Sequence, residues 1–103
     1  MKTTRPNAPV TELLAKHRDA ILQLAEARGA TNIRIFGSAA RGDAHSGSDI
    51  DFLANFPPDT SIFTVVGLWR ELTELLGCEV DLLTDGALDE STRATILRDA
   101  VPL

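Results

Sequence analysis

The chain has 103 residues, 44% of them hydrophobic and 24% charged, with a net charge of −5. A length of this order holds one domain with one modest core, so residues 1–103 are expected to form a single unit. The acidic balance, without any Lys/Arg cluster, excludes the basic stripe with which proteins bind long nucleic acid, and no apolar run approaches the ~20 residues of a membrane span.

Residues 1–10 read as a loose polar arm with no apolar stretch of signal type, which places the protein in the cytoplasm. Thr11 is the expected cap of a first helix, whose apolar stripe includes Leu14, Ile21 and Leu24 or Ala25 and which Gly29 closes. Asn32 to Phe36 is rich in β-formers and reads as a strand. Residues 37–48 read as a loop, with one helical turn from Ser38 to Arg41. Asp49 to Phe56 is the second strand, stopped by Pro57-Pro58. Thr60 or Ser61 caps a strongly apolar helix, Ile62 to Leu76, which packs on a sheet and ends at Gly77. Trp69 and Cys78 are assigned to the core. The lone Cys78 forms no internal disulfide, in keeping with a reducing compartment. Glu79 to Thr84 is the third strand, and Leu88 to Val101 holds the last helix. The expected fold is therefore α/β, with a small mixed, mainly antiparallel sheet and helices largely on one face.

The chemistry concentrates between Gly37 and Asp51. In a strand, side chains two apart project from one face, so Asp49 and Asp51 point the same way. Two carboxylates so close repel each other unless a cation lies between them. Mg²⁺ takes oxygen ligands of this kind, and carboxylate pairs hold metal pairs about 3.5–4 Å apart in phosphoryl transfer. Gly37 and Ser38 lie between a strand and a helical turn. There glycine allows close approach of a ligand, backbone N–H groups attract phosphate, and the Ser38 hydroxyl adds a hydrogen bond. If the two strands are antiparallel neighbours, this phosphate cradle and the carboxylates meet at one end of the sheet. Asp81, set among the apolar residues of the third strand, reads as a buried acid that needs a partner. It is a candidate general base for an attacking hydroxyl, or a further metal ligand. His45, in the same loop, reads as solvated.

Ile35-Phe36-Gly37-Ser38-Ala39-Ala40-Arg41-Gly42 followed by Ser48-Asp49-Ile50-Asp51-Phe52 resembles the minimal nucleotidyltransferases of the polymerase-beta superfamily. These are the antitoxin halves of HEPN/MNT toxin–antitoxin pairs. The resemblance covers nearly the whole chain. It implies that Ser38 binds nucleotide phosphate, that Asp49 and Asp51 bind Mg²⁺, and that Asp81 is the third carboxylate. It further implies transfer of AMP from ATP to a tyrosine hydroxyl of a partner HEPN toxin, in a hetero-oligomer, with Gly37, Ser38 and Arg41 holding the nucleotide. Many members carry a basic residue directly after the Gly-Ser pair; this chain has Ala39 there, and Arg41 is the basic residue it retains as a phosphate contact. Two other readings compete. One is transfer to a small hydroxyl compound such as an aminoglycoside, for which a chain this short has little room. The other is a non-catalytic module that masks its toxin by contact, which the intact Gly37, Ser38, Asp49, Asp51 and Asp81 disfavour.

Overall fold

The computed structural model describes residues 8–41 and 50–103. Helix α1 runs from Ala8 to Ala27. It begins before Thr11, which corrects the expected cap and shortens the expected arm. Pro9 falls in its first turn, where proline is tolerated because the backbone N–H it lacks has no helical partner. The other elements are β1 (Thr31–Phe36), α2 (Gly37–Arg41), β2 (Ile50–Asn55), α3 (Ile62–Leu76), β3 (Val80–Thr84), a 3₁₀ turn at Asp85–Ala87, α4 (Glu90–Leu97) and β4 (Val101–Pro102). No helix among the described residues is long and apolar enough to cross a membrane.

The sheet has the order β3-β2-β1-β4. β1 pairs antiparallel with β2 and with β4, while β2 and β3 run parallel. It is thus mixed and mainly antiparallel, as expected. Residues paired across strands share a face, and the register separates two faces sharply. Ile35, Phe52 and Leu82 lie in one row, and Ile50 pairs with Val80 beside it. On this face α1 and α3 pack. α1 contributes Leu14, Ile21 and Ala25, and α3 contributes Leu68, Leu72 and Leu76, spaced so that each set forms one stripe. Ile21, Ile50, Phe52, Leu68 and Leu72 are almost wholly removed from water. Each such side chain contributes about 1.5–3 kcal/mol through burial.

α3 has the bounds that its sequence predicts. The Ser61 hydroxyl accepts the Phe63 N–H at 3.1 Å. At the other end Gly77 is left-handed (φ 67°) and donates its N–H to the Thr73 carbonyl. Trp69 is a correction, because it is 42% exposed. The buried stripe of α3 passes through Leu68, and Trp69 lies about 100° further round the helix. Its indole N–H donates instead to the Val80 carbonyl, at the free edge of β3. Cys78 is partly buried and packs against the core.

The C-terminal part also departs from expectation. α4 is the short helix expected within Leu88 to Val101, and Asp89 caps it by accepting the Thr92 N–H at 2.7 Å. Beyond it Val101 and Pro102 pair with Ile35 and Arg34 as an edge strand. An edge tolerates proline, whose missing donor faces away from the ladder. The Leu103 N–H extends the contact to the Ile33 carbonyl at 3.0 Å.

Candidate active site

The second face of the sheet carries charge. Phe36 lies opposite Asp51, and Asp51 lies beside Asp81 in the parallel pair. Neighbouring strands are about 4.8 Å apart, so the two carboxylates belong to one end and one face of the sheet. That end is where β1 finishes and where β2 and β3 begin. Asp51 is half-buried, since its strand is central; Asp81 is exposed, since β3 is the edge. The exposure of Asp81 corrects the expectation of a buried acid. Its place beside Asp51 therefore rests on strand register and not on a desolvation penalty.

Gly37 closes β1 against this carboxylate. Its φ of +71° is left-handed and turns the chain straight from strand into α2. A Cβ at this position would come within 2.5 Å of Asp51 Oδ2 and 3.5 Å of its Cγ. Glycine is thus required twice, by the backbone angle and by the carboxylate packed on it. Ser38 follows in the first turn of α2, half-buried. Ala39 and Ala40 pack against the core, and Ala39 lines a shallow hollow with Leu14, Ile35 and Leu103. Ala39, where the resemblance led one to expect a basic residue, therefore has α1 and the C-terminus as neighbours. Arg41 ends α2, and its Nη1 donates to Asp99 Oδ2 at 3.0 Å.

Of the residues predicted to form the site, the structure thus gathers Gly37, Asp51 and Asp81 at one end of the sheet, with Ser38 and Arg41 on the helix that leaves it. Asp49 and His45 lie outside the described residues. Oxygen ligands on adjacent strands, open to solvent on one side, are the donor set that Mg²⁺ takes, so Asp51 and Asp81 fit such an ion. Among the described residues no three His, Cys, Asp or Glu side chains form a metal-holding group. Asp49, directly before Ile50, is the acid that the sequence adds to the pair.

Two features were missed in the sequence. One is Asp99, which follows α4 with no motif around it. The other is a buried ionic cluster on the same face as Asp51, toward the opposite end of the sheet. Arg34 Nη2 donates to Asn55 Oδ1 at 2.5 Å and to Asp85 Oδ2 at 3.1 Å, and Arg93 Nε donates to Asp85 Oδ1 at 2.7 Å. The Arg93 hydrogen bond, seconded by that of Arg34, holds the Asp85 carboxyl below the usual carboxylate range against the opposing effect of burial. This cluster ties α4 to the sheet. The signal available for it was Arg34, a charged residue alternating with Ile33 and Ile35, a pattern that puts it on the face opposite the core.

Residues 14–102 match the family model of the nucleotidyltransferase domain. The protein adenylyltransferase MntA of Thermococcus cleftensis is 34% identical over 92 residues, which are 89% of this chain and 90% of that protein. A solved structure assigned as a minimal nucleotidyltransferase superposes with a TM-score of 0.81 at 34% identity, over 99% of this chain and 100% of that one. The fold recurs in the complex of tri-AMPylated Shewanella oneidensis HEPN toxin with MNT antitoxin, with a TM-score of 0.67 at 17% identity, over 85% of this chain and 69% of that one. The chain belongs to the nucleotidyltransferase-domain family, and its fold is that of the minimal nucleotidyltransferases.

Proposed function

We propose that this member of the nucleotidyltransferase-domain family transfers AMP from ATP to a tyrosine hydroxyl of a partner HEPN-type toxin, and so acts as its antitoxin. The observation that carries this reading is the in-register pairing of Asp51 with Asp81, with the Asp51 carboxylate packed on Gly37 where any Cβ would displace it. The similarity to the Thermococcus protein adenylyltransferase supports the reaction class. The fold shared with the complex of an AMPylated HEPN toxin supports the partner.

In this reaction the acceptor oxygen bonds to the α-phosphorus of ATP while the bond from that phosphorus to the leaving pyrophosphate breaks in line. Ser38 and the backbone N–H groups that follow Gly37 hold the β- and γ-phosphates, and Arg41 adds a guanidinium. Asp49, Asp51 and Asp81 are the residues that would hold Mg²⁺, which when bound offsets the charge developing on the phosphate oxygens. Asp81, exposed at the sheet edge, takes the proton of the attacking hydroxyl. The open position of that edge admits an acceptor carried by another protein.

The test is mass spectrometry of the protein encoded beside this one, after incubation with ATP and Mg²⁺. The reading expects a mass increase matching one or more AMP groups. Asp51→Asn should slow the transfer by about a hundredfold or more, with little change in melting temperature. An unmodified partner, or equal transfer by a chain carrying both Asp49→Ala and Asp51→Ala, would overturn it. Full protection of cells by that double variant would instead assign neutralisation to contact.

A further inference from the structure

We infer that Asp99 is a positioning residue for the nucleotide, acting through Arg41. The inference rests on the reading that Arg41 contacts phosphate, and it goes beyond that reading by naming what aims the side chain. Arg41 follows Ser38 by three positions in α2, so the two lie on one face of that helix. The Asp99 carboxylate accepts a hydrogen bond from Arg41 Nη1 at 3.0 Å, across a sequence separation of 58.

Both partners are anchored to β1. α2 leaves β1 at Gly37 without a linker. Asp99 sits between α4 and β4, and both flanks are held. The N–H groups of Asp99 and Ala100 donate to the Ile96 carbonyl, and β4 pairs with Ile35 and Arg34. Further on, the Leu103 carbonyl accepts Arg18 Nε at 2.9 Å. At the start of α4, Arg93 is bonded to Asp85. The carboxylate that meets Arg41 is therefore fixed by the fold and does not ride on a loose tail.

The pair is half-exposed, with side-chain exposures of 48% and 40%. Such pairs add little to stability, because water screens them and two long side chains must be ordered. The same ordering assists a ligand. An arginine immobilised only on binding charges its lost rotamer freedom against affinity, whereas one already held by a carboxylate has lost that freedom beforehand. A guanidinium is a rigid fork of five N–H donors, and it serves a carboxylate and a phosphate together. The repulsion between Asp99 and a triphosphate opposes this gain, but screening weakens it at a half-exposed site.

The experiment is calorimetric measurement of the ATP dissociation constant of the full chain with Mg²⁺, for wild type, Asp99→Asn, Asp99→Glu, Arg41→Ala and the Arg41→Ala/Asp99→Asn double variant. Asp99→Asn should weaken binding roughly five- to tenfold, the order expected for one charged contact that must now be ordered on binding. Asp99→Glu should recover most of that loss. The double variant should bind no worse than Arg41→Ala alone, since Asp99 acts through Arg41. In the transfer assay Asp99→Asn should raise KM for ATP and leave kcat in place, with an unchanged melting temperature. Affinity in Asp99→Asn equal to or better than wild type would overturn the inference, as would additive losses in the double variant. So would a melting loss that accounts for the weaker binding. If Arg41→Ala binds ATP normally, the phosphate contact fails and Asp99 loses its role, while the AMP-transfer assay still judges the proposed reaction separately.

Discussion

Strand β2 divides the molecule into two regions one residue at a time. Ile50, Phe52 and Ala54 enter the apolar layer under α1 and α3 and are completely buried. Asp51, Leu53 and Asn55 alternate with them onto the other face, where the buried Leu53 separates two ionic contacts: Asp51 meets Gly37 and Asp81, and Asn55 meets Arg34. The two sets share one backbone and one environment of neighbours in sequence, yet they obey different physics. The covered side is held by area removed from water, which tolerates rearrangement of similar volumes. The ionic side is held by directed contacts, in which each charge needs its partner. The lesson is that stability and chemistry are separable here at the level of adjacent residues.

That separation can be broken from the covered side first. Phe52→Ala should cost about 3–5 kcal/mol through lost burial and the cavity left behind, measured by urea unfolding. Set beside Asp51→Asn, which should leave unfolding nearly unchanged while suppressing AMP transfer, it places the stability effect and the catalytic effect on consecutive residues. If Asp51→Asn proved as destabilising as Phe52→Ala, the division would be wrong.

Gly37→Ala tests the seam between the regions. The new methyl group meets the Asp51 carboxylate at a distance no real Cβ shows, on a backbone angle that alanine disfavours. Displacing that carboxylate should lower AMP transfer about a hundredfold. The accompanying stability loss should be smaller, about 1–2 kcal/mol.

Asp85→Asn sharpens the comparison within the ionic side, away from the site. It removes the shared acceptor of Arg34 and Arg93 and should cost about 2 kcal/mol near neutral pH. Because the folded-state pKa of Asp85 is depressed, its contribution is fully present above the unfolded value of about 3.9 and is lost as pH falls through the folded value. The difference in stability between wild type and Asp85→Asn should therefore shrink as the pH is taken below about 4. Unfolding midpoints across that acidic range would check it, and a gap that stays constant would contradict the role given to the carboxyl.

Much of this arrangement was legible in the sequence where local rules decide. α3 was bounded correctly because Ser61 and Gly77 supply both caps and its apolar content is dense. Asp51 stood out because its spacing from Asp49 puts both carboxylates on one face of a strand. Gly37 was read as permitting close approach of a ligand, whereas the group that approaches it in the structure is Asp51 itself. What escaped depends on partners distant in the chain. β4 has two residues and exists through its pairing with β1, so no periodicity announces it. Asp99 acquires meaning from Arg41, and Asp85 from Arg34 and Arg93, across separations that no spacing rule covers. Asp81 was assigned to the interior because its neighbours in sequence are apolar, but its exposure is set by the place of β3 at the sheet edge. The start of α1 was set too late because Thr11 offers a plausible cap, whereas Pro9 is tolerated in the first turn.

The parallel pairing of β2 and β3 gives α3 a metrical task. A second strand can lie parallel to the first only if the chain first travels back along the sheet, and α3, with 15 residues rising about 1.5 Å each, covers some 22 Å. That matches the length of β2, six residues at about 3.3 Å. The helix is therefore a gauge block laid against the strand, returning the chain to the end where Asp51 sits and delivering Asp81 level with it. A slip of one residue in that measurement would send Asp81 through to the apolar face and bring Val80 or Leu82 to Asp51 in its place. The spacing between the two acids is thus machined from the far side of the sheet, by a helix packed on the apolar face.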